Sequence, residues 1–305
     1  MLDVAPEVAR ALAERRAVVA LESAVITHGL PRPLNLEVAE AMLDAVREEG
    51  AVPAMTAVWG GAAHVGLDDA ALVRLARAKG ALKCGPRDLA VRVARGEVGG
   101  TTAGATLALA NAAGIRVFAT GGIGGVHRAD PSDVSADLVA LGRTPMVVVC
   151  SGIKSLLDAP RTLERLETEG VAVLGWRTDA LAAFYAVDAG LTVPARADDA
   201  DAVAAIARAR DALALSQAIV VAVPVPEGQA LALSEVEAAV ATAMDEAAAG
   251  GISGADLTPF VLARLAVLTD GRSLTANAAL LVNNARVAAE IALALDNGRP
   301  RLRLV

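Results

Sequence analysis

Short, nearly unbroken runs of Val, Ile, Leu and Ala alternate along the chain with longer Ala/Leu/Glu/Arg stretches of helical period. The short runs, residues 17–21, 52–58, 115–119, 146–150, 171–174 and 218–223, are apolar at almost every position, as strands buried on both faces are,. Between them the spacing predicts helices over residues 34–49, 68–78, 103–113, 162–169, 199–216, 233–248 and 276–296,. Strands and helices in this alternation predict an α/β fold, a three-layer α/β/α arrangement around a largely parallel or mixed sheet. Residues 1–16 read as an Ala/Glu/Arg helix, and Pro224, Pro226 and Gly228 break the chain after the last strong strand. The C-terminal part beyond that break is mainly helical apart from a short Arg/Leu/Val tail. With no flexible linker, low-complexity tract or internal repeat, residues 1–305 are expected to form one domain.

Composition sharpens this picture in three ways. The chain is 55% hydrophobic but only 2% aromatic, so its core must be tiled by small aliphatic side chains, which suits sheets covered by helices,. A formal net charge of −7 argues against nucleic acid as a partner, since binding a polyanion needs a basic face,. The two cysteines, Cys84 and Cys150, have no CxxC or Cys/His spacing, so buried free thiols are expected rather than a disulfide framework or a zinc site,. No apolar run reaches bilayer-spanning length, and a cytoplasmic protein without a membrane partner is expected.

Lysine usage is the most informative count. The chain has 25 arginines but three lysines, Lys79, Lys83 and Lys154. A position that keeps Lys where Arg is otherwise the rule either does so by chance or needs an amine that can lose its proton. Chance suffices for Lys79, at the end of a polar helical stretch. Lys83 and Lys154 sit among Gly, Ser and apolar residues, and Lys154 follows an expected strand, where a loop would aim it into a pocket whose apolar walls free the amine as a nucleophile.

Other polar clusters also fall at strand ends, where α/β sheets gather their chemistry. Glu22 follows the first strand directly: it is either a carboxylate capping nearby backbone or, if burial raises its pKa, a usable acid. His28 in the same segment is equally open. The segment Gly99-Gly100-Thr101-Thr102 leads into a helix whose free N–H groups, from Thr102 and Ala103 on, could hold a phosphate or simply be capped. In Thr120-Gly121-Gly122-Ile123-Gly124-Gly125-Val126-His127-Arg128, four glycines in five positions require a sharp bend or a close approach,. A dinucleotide fingerprint there fails because His127 stands where its third glycine belongs. His127 and Arg128 point instead to an anion site. Asp133-Val134-Ser135-Ala136-Asp137 offers two carboxylates and a hydroxyl, fit either for a well-hydrated hard cation or for a helix cap. Asn277, Asn283 and Asn284 lie in an apolar helical stretch and need partners, since unpaired buried amides are costly; Asn277 could be a cap.

Taken in order, these pieces resemble the pseudouridine-5′-phosphate glycosidase family, also called indigoidine synthase A-like proteins, almost end to end. The strongest likeness lies in Val19-Ala20-Leu21-Glu22-Ser23, Thr27-His28-Gly29, the run from Val117 to Arg128, Asp133 to Leu138, and Thr258-Pro259-Phe260. The resemblance implies a lyase-type C-glycosidase that splits pseudouridine 5′-phosphate into uracil and ribose 5-phosphate, with Mn²⁺ and as a homotrimer. It implies Glu22 as proton donor, Lys154 as Schiff-base nucleophile and Asp133 as the manganese-associated carboxylate. Lys83, Ala103, Ser135, Ala136 and Asp137 correspond to substrate-binding positions, and Asn277 to an active-site asparagine. One departure is Val223, before Pro224, where relatives are expected to carry Asn. Two other classes remain open from the residues: a Schiff-base aldolase acting on a sugar phosphate, and a non-catalytic sensor of a nucleotide phosphate.

Overall fold

The computed structural model describes residues 1–252, 254 and 257–297. The strands are β1 (Leu2–Val4), β2 (Val18–Leu21), β3 (Val52–Trp59), β4 (Ala62–Val65), β5 (Leu82–Cys84), β6 (Gly99–Thr101), β7 (Val117–Ala119), β8 (Val126–His127), β9 (Val147–Cys150), β10 (Leu157–Asp158), β11 (Ala172–Trp176), β12 (Ala195–Ala197) and β13 (Ile219–Ala222). The α-helices are α1 (Pro6–Ala13), α2 (Leu34–Glu48), α3 (Asp69–Arg77), α4 (Leu89–Arg95), α5 (Ala103–Ala112), α6 (Ala136–Leu141), α7 (Ala159–Thr168), α8 (Ala200–Ala212), α9 (Leu233–Ala249), α10 (Leu257–Leu268) and α11 (Arg272–Asn297).

The heart of the sheet is a parallel array in the order β3-β2-β7-β9-β13-β11-β12. Every residue of β2, β7, β9 and β13 is buried, which is why these segments carry no polar alternation,. Beyond β3 the sheet becomes mixed: β4 and β6 both pair antiparallel with β3, and β1 and β5 extend it. Helix α11 packs on α2 and α8 and lies over β2, β7 and β9, while α5 packs against β2, β3 and β7 and on α6. This is the expected three-layer α/β/α fold. All six expected strands are present within a residue or two of their sequence limits.

Several local expectations are corrected. Residues 1–16 are not one helix: Leu2–Val4 pairs with β4, and Pro6, with its fixed φ and missing N–H, opens α1,. Gly99–Thr101, which the sequence marks only as leading into a helix, is a strand, and a Cβ on Gly100 would clash with Thr27 Oγ1, so only glycine lets this strand close on the Val25–Gly29 turn. Helix α7 starts at Ala159 because Asp158 caps it, accepting from Arg161 N at 3.0 Å,. Helix α8 stops at Ala212, with Ala214 at φ 54°. Helix α11 starts at Arg272, which puts Asn277 inside the helix and removes its capping role. By length and apolar composition α11 could cross a membrane, yet Leu280, Leu281, Ala285, Ala288 and Ile291 are wholly buried in the core, as in a central helix of a globular domain. The Arg/Leu/Val tail lies outside the described residues.

Candidate active site

Strand order reverses between β2 and β7: from β2 the chain crosses to β3 on one side, whereas β7 leads on to β9 on the other. The carboxyl ends flanking such a switch form a crevice. Three segments leave the sheet there, with Glu22 after β2, Thr120 to Gly125 after β7, and Ser151 to Lys154 after β9. The first ends where it does because β6 takes over the edge of β3, pairing Gly100 with Ala57. Ser23 closes the junction, its Oγ donating to the Thr56 carbonyl at 2.5 Å and accepting from Thr101 N at 3.0 Å.

A pocket is lined by Glu22, His28, Lys83, Thr102, Gly121, Gly122, Lys154, Phe184 and Asn277, with Thr258 and the apolar Pro259 and Leu262 of α10 on its wall. Glu22 is 5% exposed. Burial raises its pKa above the usual carboxylate range, opposed first by the positive charge of Lys154 and then by the hydroxyl of Thr120, which donates to Glu22 Oε1 at 2.5 Å,. Lys83 is held below the usual lysine range, first by burial and then by Lys154,. His28, with Nδ1 2.7 Å from Thr27 Oγ1, is also lowered by burial, and further by Lys83. The pocket therefore combines a buried acid, two amines and a half-buried imidazole. Burial pushes the two thiols up, Cys84 to about 11 and Cys150 to about 12, which keeps both in the protonated form,.

The glycine run is explained by close approach, since none of Gly121, Gly122, Gly124 or Gly125 has a positive φ. A Cβ on Gly122 would lie 2.6 Å from the Phe184 ring, and one on Gly124 would lie 2.2 Å from Ser135 Oγ and 2.7 Å from Asp137 Oδ2. Gly124→Ala is accordingly expected to destabilise the fold by about 1–3 kcal/mol, as overpacking does. Thermal unfolding of the variant reads this directly, and a Tm equal to wild type would contradict it.

Asp137 is the buried tie beneath this run. One oxygen accepts from Gly104 N at 2.8 Å and the other from Gly124 N at 2.9 Å. The carboxylate thus sits at the positive end of α5, an N-terminal position that favours it. This bears on two readings that the sequence leaves open. The start of α5 is partly occupied by the protein's own carboxylate, leaving Thr102 as its share of the pocket wall. Asp133 and Asp137 also do not converge as a cation pair: Asp133 is exposed, and Ser135 Oγ caps α6 by accepting from Asp137 N at 3.2 Å. Ala136 is exposed at the first position of α6.

His127 N donates to the Asp133 carbonyl at 3.0 Å, and its Nε2 lies 3.9 Å from Asp133 Oδ2. Its Nδ1 is buried with no hydrogen-bond partner. The Arg128 guanidinium is fully engaged, bonded twice to Glu237 and to the carbonyls of Ser155 and Leu157, so it is not free for an anion. Among the described residues no three His, Cys, Asp or Glu side chains converge. Asp133 is therefore a single exposed carboxylate and not part of a closed protein cage,.

Comparison with known proteins accounts for nearly the whole chain. The family model of indigoidine synthase A like protein matches residues 7–294. The chain belongs to this family. Among curated relatives, the pseudouridine-5′-phosphate glycosidase of Methylobacterium nodulans is 52% identical over 98% of this chain and 89% of its own. That of Symbiobacterium thermophilum is 49% identical over 98% and 99%. The crystal structure of the prealnumycin C-glycosynthase AlnA in complex with ribulose 5-phosphate superposes with a TM-score of 0.89 at 42% identity, covering 97% of each chain.

Within this indigoidine synthase A-like chain, Glu22, Lys83, Lys154, Thr102 and Asn277 line one pocket. Asn277 is 4% exposed and lines the pocket from inside α11. Ala103, Ser135 and Asp137 stand behind the pocket around Gly104 and Gly124, with His127, Asp133 and Ala136 farther along the same loop. Lys79 is exposed. Sequence reasoning missed Thr120 and Phe184. The signal for Phe184 was present in the scarcity of rings, since only three phenylalanines occur in the chain and this one is held at φ 61° on the pocket wall,.

Proposed function

We propose that this chain cleaves the C–C glycosidic bond of pseudouridine 5′-phosphate, reversibly, to uracil and ribose 5-phosphate. The observation that carries the reading is the buried acid Glu22 in one pocket with the amine of Lys154. A glycosidase working on an oxygen or nitrogen leaving group uses two carboxylates; a base bound through carbon leaves poorly that way, and an acid with an amine is the pair such a bond requires. The protonated Glu22 gives its proton to the ribose ring oxygen, and the C1′–O bond opens as the Lys154 nitrogen bonds to C1′. The nitrogen, now an ammonium, returns a proton to the Glu22 carboxylate; its freed lone pair then forms the C1′=N bond while the C1′–C5 electrons pass to the base, which takes that proton from Glu22 at C5 and departs as uracil. Water hydrolyses the imine, returning the amine and releasing ribose 5-phosphate. The names of the curated relatives support the substrate, and the pentose phosphate bound by a C-glycosynthase of the same fold supports reversibility.

Lys83, Thr102 and the first N–H of α5 would hold the phosphate, with His127 and Ser135 on the same side, and Asn277 would read the substrate. A divalent cation, Mn²⁺ by family likeness, would be held by Asp133 and water; bound there it supplies positive charge beside the phosphate. The same likeness supports a cytoplasmic homotrimer. The test is release of uracil from pseudouridine 5′-phosphate in the presence of Mn²⁺, followed by chromatography; aldehyde release from a sugar phosphate without uracil would favour an aldolase. In Lys83→Met, KM is expected to rise by about 10–100-fold with a smaller loss in kcat, because a binding contact common to ground and transition states is removed. An unchanged KM would remove Lys83 from the phosphate site.

A further inference from the structure

Asn284 lies in the middle of α11 and is fully buried. Its amide nitrogen donates to the Thr120 carbonyl at 2.9 Å and to Ser151 Oγ at 3.1 Å, with the Gly121 carbonyl at 3.5 Å. Ser151 Oγ is in turn 3.3 Å from Asn284 Oδ1. Thr120 is the first residue past β7 and Ser151 the first past β9, so one side chain grips the roots of both loops. Thr120 is also the hydroxyl that donates to Glu22, and the Ser151 loop carries Lys154. Backbone bonds, Ser151 N to Gly121 O at 2.8 Å and Ile123 N to Gly152 O at 3.0 Å, tie the loops to one another. Asn284 ties the pair to the helical layer.

We infer that Asn284 is a positioning residue, which holds Thr120 and Ser151 in fixed relation so that the acid and the amine meet the substrate together. The inference rests on the reaction proposed above. Misplacing either group by a fraction of an ångström is costly for a reaction that depends on alignment. Around Glu22 also stand Lys154, Asp137, Lys83 and Cys150, with His28 in the same pocket. None of these hydrogen-bonds to Asn284 among the described residues, so loss of the amide reaches Glu22 through Thr120. The Thr120 hydroxyl favours the charged carboxylate; weakening that bond raises the Glu22 pKa and moves the alkaline limb of the kcat profile to higher pH.

The test compares Asn284→Ala and Ser151→Ala with wild type in thermal stability, in kcat and KM for uracil release across pH, and in hydrogen exchange by mass spectrometry. The expected result is a kcat lowered about tenfold or more with KM within about threefold, the signature of lost alignment in the transition state. The alkaline limb should shift upward as it does in Thr120→Val, and exchange should accelerate together in residues 120–125 and 151–157. A folded Asn284→Ala that loses stability but keeps wild-type kcat and limb overturns the inference, because the amide then only fills space. If that variant does not fold, Ser151→Ala decides by the same two signs. If wild type releases no uracil, the proposed reaction fails by itself, and the exchange comparison then decides: acceleration in one loop alone, or in neither, overturns the brace.

Discussion

Lys154→Arg is expected to lose kcat by on the order of 10⁴-fold or more while KM stays close to wild type, the pattern for removal of a covalent nucleophile. Arginine keeps the positive charge that Glu22 faces, and with it the electrostatic contribution to the site. What it cannot do is lose a proton and form an imine. The substitution therefore separates the two roles a buried cation could play here, and steady-state uracil release measures the difference. If the arginine variant kept more than a tenth of wild-type activity, Lys154 would be a charge beside the acid and the Schiff base would have to be abandoned.

Glu22→Gln is expected to lower kcat by about 10²–10⁴-fold, the range associated with one positioned general acid. Its pH dependence carries the sharper information. The working form is the protonated carboxyl, so the rate falls as pH rises through the Glu22 pKa. Burial raises that pKa, and Lys154, Thr120 and Lys83 oppose the rise. The wild-type alkaline limb should thus lie above the range of an ordinary carboxylate, and it should vanish in Glu22→Gln, whose amide does not titrate. A limb that persists unchanged in the variant would assign the titration to another group, with His28 and Lys83 the neighbours to examine next.

The parts of the molecule legible in the sequence are those whose cause is local. The buried strands announce themselves because a strand covered on both faces has no polar alternation, and Glu22 and Lys154 stand out because each directly follows such a strand or its first turn. Scarcity made Lys83 and Lys154 visible in a chain that otherwise uses arginine. The parts that were not legible depend on pairing across long separations. Thr120 meets Glu22 from 98 residues away, and nothing near either residue signals the bond. Asp137 looks in sequence like half of a cation site with Asp133, yet folding carries its carboxylate onto the start of α5, 33 residues earlier. Gly99–Thr101 has no strand signal because its side chains are absent or small; the partner strand β3 and the nearby Thr27 require that smallness. Arg128 looked free beside a glycine loop and is instead bound to Glu237, 109 residues on.

The central claim is that a Lys154 imine carries the C–C cleavage. Its most direct test is peptide mass spectrometry of the protein after incubation with pseudouridine 5′-phosphate and Mn²⁺ and reduction with borohydride. With only three lysines in the chain, the adduct can be assigned without ambiguity. The account predicts a ribose 5-phosphate adduct on the peptide bearing Lys154, together with free uracil. Free uracil with no adduct, or with the adduct on Lys83, would contradict it.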